Sequence, residues 1–373
     1  MSSNIQDQML AISAQCVRCG MCLPHCPTNQ LNNTEGQSPR GRIALWQNLA
    51  QNKLELTKQT HHYLSECLSC GACANNCPAG VKFLTLQDLG KQFLLETKTK
   101  TRKVKTTNKL TRLLITIFSS RILTNTLHYS LYIYQKLRLP FIINIALKPL
   151  PTFRQQIIKF NNIIPKLQLS TRLLSLYKTT APNNSQSVIL FTGCVNKLSD
   201  PNKITAAIKI LNILGFNVHI LNNLHCCGAL YQHNGFINKY QKLSHSNKKT
   251  LTKFLNNNNK ITAKLTAILT LDSGCHPSMQ QQFIPKEPIK IINAEQFIYH
   301  YLTCDTKTPV LSKLINKTPE KLNTASNFIK TIHIYTPCSQ REQLKTPNIT
   351  VNLLNLILSN SANLINSSNY IIK

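Results

Sequence analysis

At 373 residues with 42% hydrophobic content, the chain is long enough for two or three domains with cores of their own, which excludes a disordered polymer. Forty-three Lys and Arg against thirteen Asp and Glu give a net charge of +30, which on its face points to nucleic acid, an anionic membrane or an acidic partner. The same Asn, Ile, Lys and Leu bias runs through loops such as NNNNK at 256–260, so a generally basic solvated surface accounts for the charge equally well.

The start, MSSNIQDQMLAIS, lacks the basic residues and long apolar run of an export signal. The fourteen cysteines are therefore expected in a reducing compartment, where clustered thiols mean metal or redox chemistry. Their distribution divides the chain: eight lie in residues 1–96, none in 97–186 and six in 187–373.

In the first region CVRCGMCLPHCP (16–27) returns as CLSCGACANNCP (67–78). Zinc usually takes two separated Cys or His pairs. Here three close cysteines can wrap three corners of one cluster, while the fourth, followed by proline, is thrown outward, as in two-cluster ferredoxins whose fourth cysteine ligates the other cluster. That rule assigns one 4Fe-4S cluster to Cys16, Cys19, Cys22 and Cys77, and a second to Cys67, Cys70, Cys73 and Cys26. Gly20 and Gly71 suit a loop wound about a cluster. Between the runs, Ser38 reads as a helix cap, Pro39 as the first helical residue and Trp46 as core, so the region is expected to be all-helical. Arg40 and Arg42 read as solvated at that helix start, the alternative being that their charge steers an acidic partner or tunes the nearby cluster, and His61 and His62 read as exposed.

The second region opens with seven Lys or Arg between 98 and 112 and continues as an apolar and basic helical pattern to about 178. Linker helices packed on their neighbours are the commoner form of such a pattern; an amphipathic surface lying on anionic lipid is the other. The longest uncharged apolar stretch, LPFIINIAL at 139–147, is about half of what spans a bilayer, so no transmembrane helix is expected.

In the third region the strands SVILFTGC (187–194), NVHIL (217–221), AILTLDSGC (267–275) and TIHIYTPC (331–338) alternate with helices over 202–215, about 236–259 and NAEQFIYHYL. The alternation predicts a parallel α/β sheet with its strand-end cysteines, Cys194, Cys275 and Cys338 together with Cys226 and Cys227, at one edge. His225 and His276 read as packing beside thiols, and Cys304 as a small buried hydrophobe. No Ser-His-Asp set, carboxylate pair or phosphate loop stands out, so no residue is assigned a catalytic role.

The segments CPTNQLNNTEGQSPRGRIALWQNLAQ and CPAGVKF, with GC at 193–194, HCCGALYQHNG at 225–235, SGC at 273–275 and PC at 337–338, make the chain resemble the iron-sulfur subunits of bacterial glycolate oxidase. The resemblance implies an α+β multidomain protein: an α-helical ferredoxin domain (1–96) with two 4Fe-4S clusters, a basic helical linker (97–186) and an α/β cysteine-rich domain (187–373) of the heterodisulfide reductase type. It further implies an electron-transfer subunit that is not catalytic alone. FAD would sit only on partner subunits that oxidise glycolate or D-lactate, and electrons would pass to quinone or another membrane acceptor. The chain would be cytoplasmic, peripheral on the inner face of the membrane, and would bind no nucleic acid. The same organisation occurs in the anchoring subunit of anaerobic glycerol-3-phosphate dehydrogenase, but the SPRGR linker favours the glycolate reading.

In the family's pattern Cys226 and Cys227 form the first CCG motif, Cys194 and Cys275 are its outlying cysteines, and Cys338 opens a second half. Two departures stand out. Cys275 is followed by HPS instead of completing CxxC, and the sequence reaches NYIIK without a second CCG, so the second half is expected to be incomplete and its thiols inert or weakly binding. A reading of another class, a basic zinc-stabilised nucleic-acid binder, is separated from this one by the colour of the purified protein.

Overall fold

The computed structural model describes residues 2–97, 109–141, 151–164, 167, 173–179, 186–258, 264–283, 289–303, 330–332, 334–360 and 370–372. Residues 2–97 contain helices and no strand. Ser38 accepts a hydrogen bond from the Gly41 backbone N–H at 2.9 Å and, with Pro39 behind it, starts the helix Pro39–Ala50 as expected. This helix packs against helices Ser2–Ser13 and Phe83–Thr97. Trp46 is fully buried among Met9 and Leu86. Its indole N–H donates to Gln87 Oε1 at 2.8 Å, and Gln87 Nε2 in turn donates to the Leu64 carbonyl at 2.9 Å, so the buried polar atoms are paired.

Arg42 corrects its expected place on a solvated helix start. It is 1% exposed, and its guanidinium donates to the Tyr63 carbonyl at 2.8 Å and to Thr28 Oγ1 at 2.9 Å. The face of the helix start that carries Arg42 is covered by chain returning toward the second cysteine run. Of the two neighbouring histidines, His62 is exposed but His61 is half-buried.

The third region holds a five-stranded sheet of order β1-β3-β2-β4-β5, formed by Leu176–Tyr177 (β1), Gln186–Phe191 (β2), Phe216–His219 (β3), Leu265–Thr270 (β4) and Lys290–Asn293 (β5). β2 pairs in parallel with β3 and β4, as the alternation predicts; β5, which the sequence reading did not include, extends the parallel sheet beyond β4. β1 is an addition: a two-residue edge strand antiparallel to β3, contributed by the region read as linker.

Side chains alternate across the sheet. Val188 and Leu190 of β2, with Ala267 and Leu269 of β4, face a core shared with helices Pro201–Ile213 and Ala294–Thr303. Ile189, Phe191 and Ile268 face the opposite core, with Leu251 of helix Ile237–Asn257 and Met279 of helix His276–Gln282. Burial on both faces explains why β2 reads as the unbroken apolar run VILF.

The strand expected over 331–338 is confined to Lys330–Ile332 (β6), which pairs in parallel with Tyr370–Ile372 (β7) outside the five-stranded sheet. Residues 334–337 have no regular structure, and Pro337 could not donate to a ladder there. A π-helical turn, Ser339–Gln343, and the helix Ile349–Asn360 follow. Cys304 lies outside the described residues.

In the second region helices Lys109–Ser119 and Arg121–Lys136 pack on helix Cys194–Ser199. The ferredoxin-like helices meet the sheet region directly. Lys91 Nζ donates to the His233 carbonyl at 2.8 Å, and His233 Nδ1 lies 3.2 Å from Asp88 Oδ1. No helix of the described residues is long and apolar enough to cross a membrane.

Candidate metal centres

Two cysteine-lined cavities lie side by side in the helical region. One is walled by Cys16, Cys19, Cys22 and Cys77, the other by Cys26, Cys67, Cys70 and Cys73. The fourth cysteine of each run therefore reaches the other run's cavity. Pro39 and Phe83 border both cavities, and Cys73 touches both. Gly20 and Gly71 take φ of +86° and +88°, the left-handed turn that lets each run curl round its cavity.

The donor set fits a cluster. Burial, reinforced by the neighbouring thiols, holds Cys22, Cys70 and Cys73 above the usual thiol range, so these groups ionise only when positive charge enters the cavity. Among the described residues no three His, Cys, Asp or Glu side chains converge closely enough for a single ion. A four-iron cubane holds its thiolates at separate corners, wider apart than one ion does. Arg42 supplies a further sign of fit: Nη1 lies 3.9 Å from Cys26 Sγ, and Nη2 is buried without an acceptor in the wall of the second cavity. A sulfide is such an acceptor. Arg40, by contrast, pairs with Glu35 at 2.7 Å on the surface and borders the first cavity.

The third group of cysteines sits at the carboxyl edge of the sheet. Cys194 follows β2, Cys226 and Cys227 follow β3, and Cys275 follows β4. β2 leads to β3 on one side and β4 to β5 on the other, so the cysteines occupy the point where the connections diverge. Cys194 and Cys226 Sγ are 3.4 Å apart, and the Gly228 N–H donates to Cys226 Sγ at 3.5 Å. Hydrogen bonds from Cys194 and Cys227 draw the Cys226 thiol below the usual range, while that same sharing and burial push Cys194 and Cys227 up.

Where a CxxC pair would place a last cysteine, Ser278 instead donates to the Cys227 carbonyl at 2.8 Å. His276 is buried, with Nδ1 3.0 Å from Thr270 Oγ1, and packs beside the set; His225 borders the neighbouring cleft.

Cys338 does not join this group. Its thiol acts electrostatically on Cys70 of the second cavity, and its following turn spans the two sites. Gln343 Nε2 donates to the Ser69 carbonyl at 3.3 Å and Asn75 Nδ2 to Glu342 Oε2 at 3.2 Å, while Ser339 Oγ lies 2.6 Å from Ser273 Oγ, two residues before Cys275. Sequence reasoning missed this bridge; for Arg42 the cluster-side alternative fits the structure better than the solvated one.

Residues 12–81 match the family of the 4Fe-4S dicluster domain, and residues 188–280 the cysteine-rich domain. The chain is similar to glycolate oxidase iron-sulfur subunits. It is 28% identical over 270 residues to the glycolate oxidase iron-sulfur subunit of Escherichia coli (strain K12), covering 71% of this chain and 57% of that protein. It is 28% identical over 233 residues to the probable glycolate oxidase iron-sulfur subunit of Bacillus subtilis (strain 168), covering 62% of this chain and 52% of that one. The chain thus spans about half the length of the curated relatives it matches. No solved structure matches it. The two family matches give this chain a 4Fe-4S dicluster domain and a cysteine-rich domain, and the names of its relatives are those of iron-sulfur subunits.

Proposed function

We propose that the chain is the electron-transfer subunit of a flavin-dependent glycolate or related 2-hydroxy-acid dehydrogenase. Two 4Fe-4S clusters form its relay, one on Cys16, Cys19, Cys22 and Cys77, the other on Cys67, Cys70, Cys73 and Cys26. The observation that carries this reading is the exchange of fourth cysteines between the two cavities. When bound, the clusters supply one-electron carriers; the chain's own residues hold them, bury them and set their surrounding charge, with Arg42 beside the second. FAD belongs to partner subunits in this reading, in keeping with relatives whose names describe one subunit of a glycolate oxidase.

The acceptor side is a quinone at an anionic membrane surface. Between Glu96 and Asp200 the sequence has no acidic residue. Helices Lys109–Ser119 and Arg121–Lys136 and the residues just after them leave Leu110, Leu113, Ile122, Ile133, Leu137 and Phe141 exposed among Lys and Arg. Apolar side chains set in an acid-free basic surface match a lipid headgroup layer.

Iron and sulfide analysis of the anaerobically purified chain tests the relay: about eight irons are expected, and about four, or a colourless zinc-loaded protein, would overturn it. Cys26→Ser is expected to disturb the EPR signal of the cluster on Cys67, Cys70 and Cys73. Dye reduction with glycolate should require an added FAD-containing partner; turnover by the chain alone would reject the division of labour.

A further inference from the structure

A cleft lies at the carboxyl edge of the sheet, beside the sheet-edge cysteines and under the helices of the second region. Its walls combine apolar side chains, including Phe118 and Leu224, with Arg121, Lys197 and the Cys194 and Cys226 thiols, and no Asp or Glu borders it. Arg121 is held in place by donating from Nη1 to the Asn222 carbonyl at 2.6 Å. Lys197 stands on the turn after Cys194, in the same wall. Among the described residues neither cation forms an ion pair with a carboxylate. The nearby Asp272 is engaged elsewhere, accepting from Asn196 at 2.9 Å and lying 3.7 Å from Lys203.

Arg121 at the exposed rim and half-buried Lys197 face one cleft that no carboxylate borders, so an anion that bridges them is favoured. Burial holds the Lys197 ammonium below the usual range, and Arg121 lowers it further, as this unbalanced charge requires.

We infer that the cleft between Arg121, Lys197 and Cys194 is a binding site for a small organic carboxylate. The carboxylate would sit between the guanidinium and the ammonium, where charge-assisted hydrogen bonds are strongest, and its short carbon body would lie against Phe118 and Leu224. Ser119, Thr124, Asn125 and Thr192 also line the cleft, so phosphate is the competing anion against which the carboxylate is tested.

Equilibrium dialysis of radiolabelled glycolate against the full iron-loaded chain tests the site, with acetate and phosphate as competitors. The choice of glycolate rests on the proposed function; acetate keeps the test of the site separate, and a negative result leaves iron content and partner-dependent turnover unaffected. Saturable binding, displaced by acetate and not by equal phosphate, is expected. Arg121→Gln and Lys197→Met should each weaken it about tenfold or more, the loss of one hydrogen bond to a charged group. Lys197→Arg should retain binding, and Lys209→Met, exposed on helix Pro201–Ile213, should leave it unchanged. Arg121 is itself exposed, so its loss tests binding without disturbing a core. Absence of saturable binding, binding that survives both substitutions, or equal displacement by phosphate would overturn the inference.

Discussion

The most informative single residue is Arg42, because its burial joins stability to redox chemistry. It is 1% exposed and holds the Tyr63 carbonyl at 2.8 Å and the Thr28 hydroxyl at 2.9 Å. Arg42→Met keeps most of the apolar stem but leaves those acceptors bare, at a cost of about 1–3 kcal/mol, and removes a positive charge beside Cys26. Less positive surroundings favour the oxidised cluster, so the potential of the cluster that includes Cys26 should move negative while the other stays in place. Denaturant unfolding and an EPR-monitored redox titration check the two effects; an unchanged potential would separate Arg42 from the cluster. A second residue gives the pH dependence. His219 is 5% exposed against the edge of Phe254, and burial depresses its pKa below the usual 6.5. The unfolded chain therefore takes up a proton as pH falls through 6.5 before the folded chain does, and folded stability drops on that acid side and is level above it. His219→Phe should reduce this acid-side loss when urea unfolding of the sheet region is compared at about pH 7.5 and 5.5. Equal losses in both proteins would show that the acid limb lies elsewhere.

At the scale of elements, what could be read from sequence depended on how local the signal was. The cysteine runs curl round their cavities, and the strand-and-helix alternation follows from period and burial, so the helical first region and the parallel strands β2 to β4 were legible, whereas the four-residue β5 was not read. β1 was not, because two residues carry no period, and neither was the bridge from Ser339 to Ser273, which joins positions 66 apart. The amphipathic middle region was legible as a pattern, but only the fold shows which side is covered. Helices Lys109–Ser119 and Arg121–Lys136 turn one side to helix Cys194–Ser199 and leave Leu113 and Ile122 outward. Burial of such a side chain is worth roughly 1.5–3 kcal/mol, so placing Glu at both positions should weaken lipid binding by more than tenfold. Sedimentation with phosphatidylglycerol vesicles is the measurement, with phosphatidylcholine and high salt as the arms that remove the electrostatic share. Equal sedimentation of Leu113→Glu/Ile122→Glu and the unaltered chain would reject this face as the lipid contact.

At the scale of the whole molecule, an electron relay works only if its centres are held at fixed separation, and two separate contacts hold the helical and sheet regions together. The first joins helix Phe83–Thr97 to the loop after Cys227: Lys91 Nζ donates to the His233 carbonyl at 2.8 Å, and Asp88 lies 3.2 Å from His233 Nδ1. The second is the turn after Cys338, bonded to Ser69 and Asn75 on one side and to Ser273 on the other. Gly235 makes the first contact possible. Its φ is +80°, and a Cβ there would lie 2.7 Å from the Lys91 carbonyl carbon and 2.8 Å from the Gln92 nitrogen, both backbone atoms that cannot swing away. Gly235→Val should therefore part the two regions at this point while leaving the cysteine cavities, which lie in other loops, intact. The expected result is an unchanged visible spectrum and iron content, with limited proteolysis releasing the brown helical fragment several times faster, on the order of 1 kcal/mol of lost contact. Cleavage at the unaltered rate would mean that the Ser339 turn alone fixes the arrangement. In that event the combined Gly235→Val/Gln343→Ala change should release the fragment, because Gln343 carries one of that turn's bonds to the cluster loop.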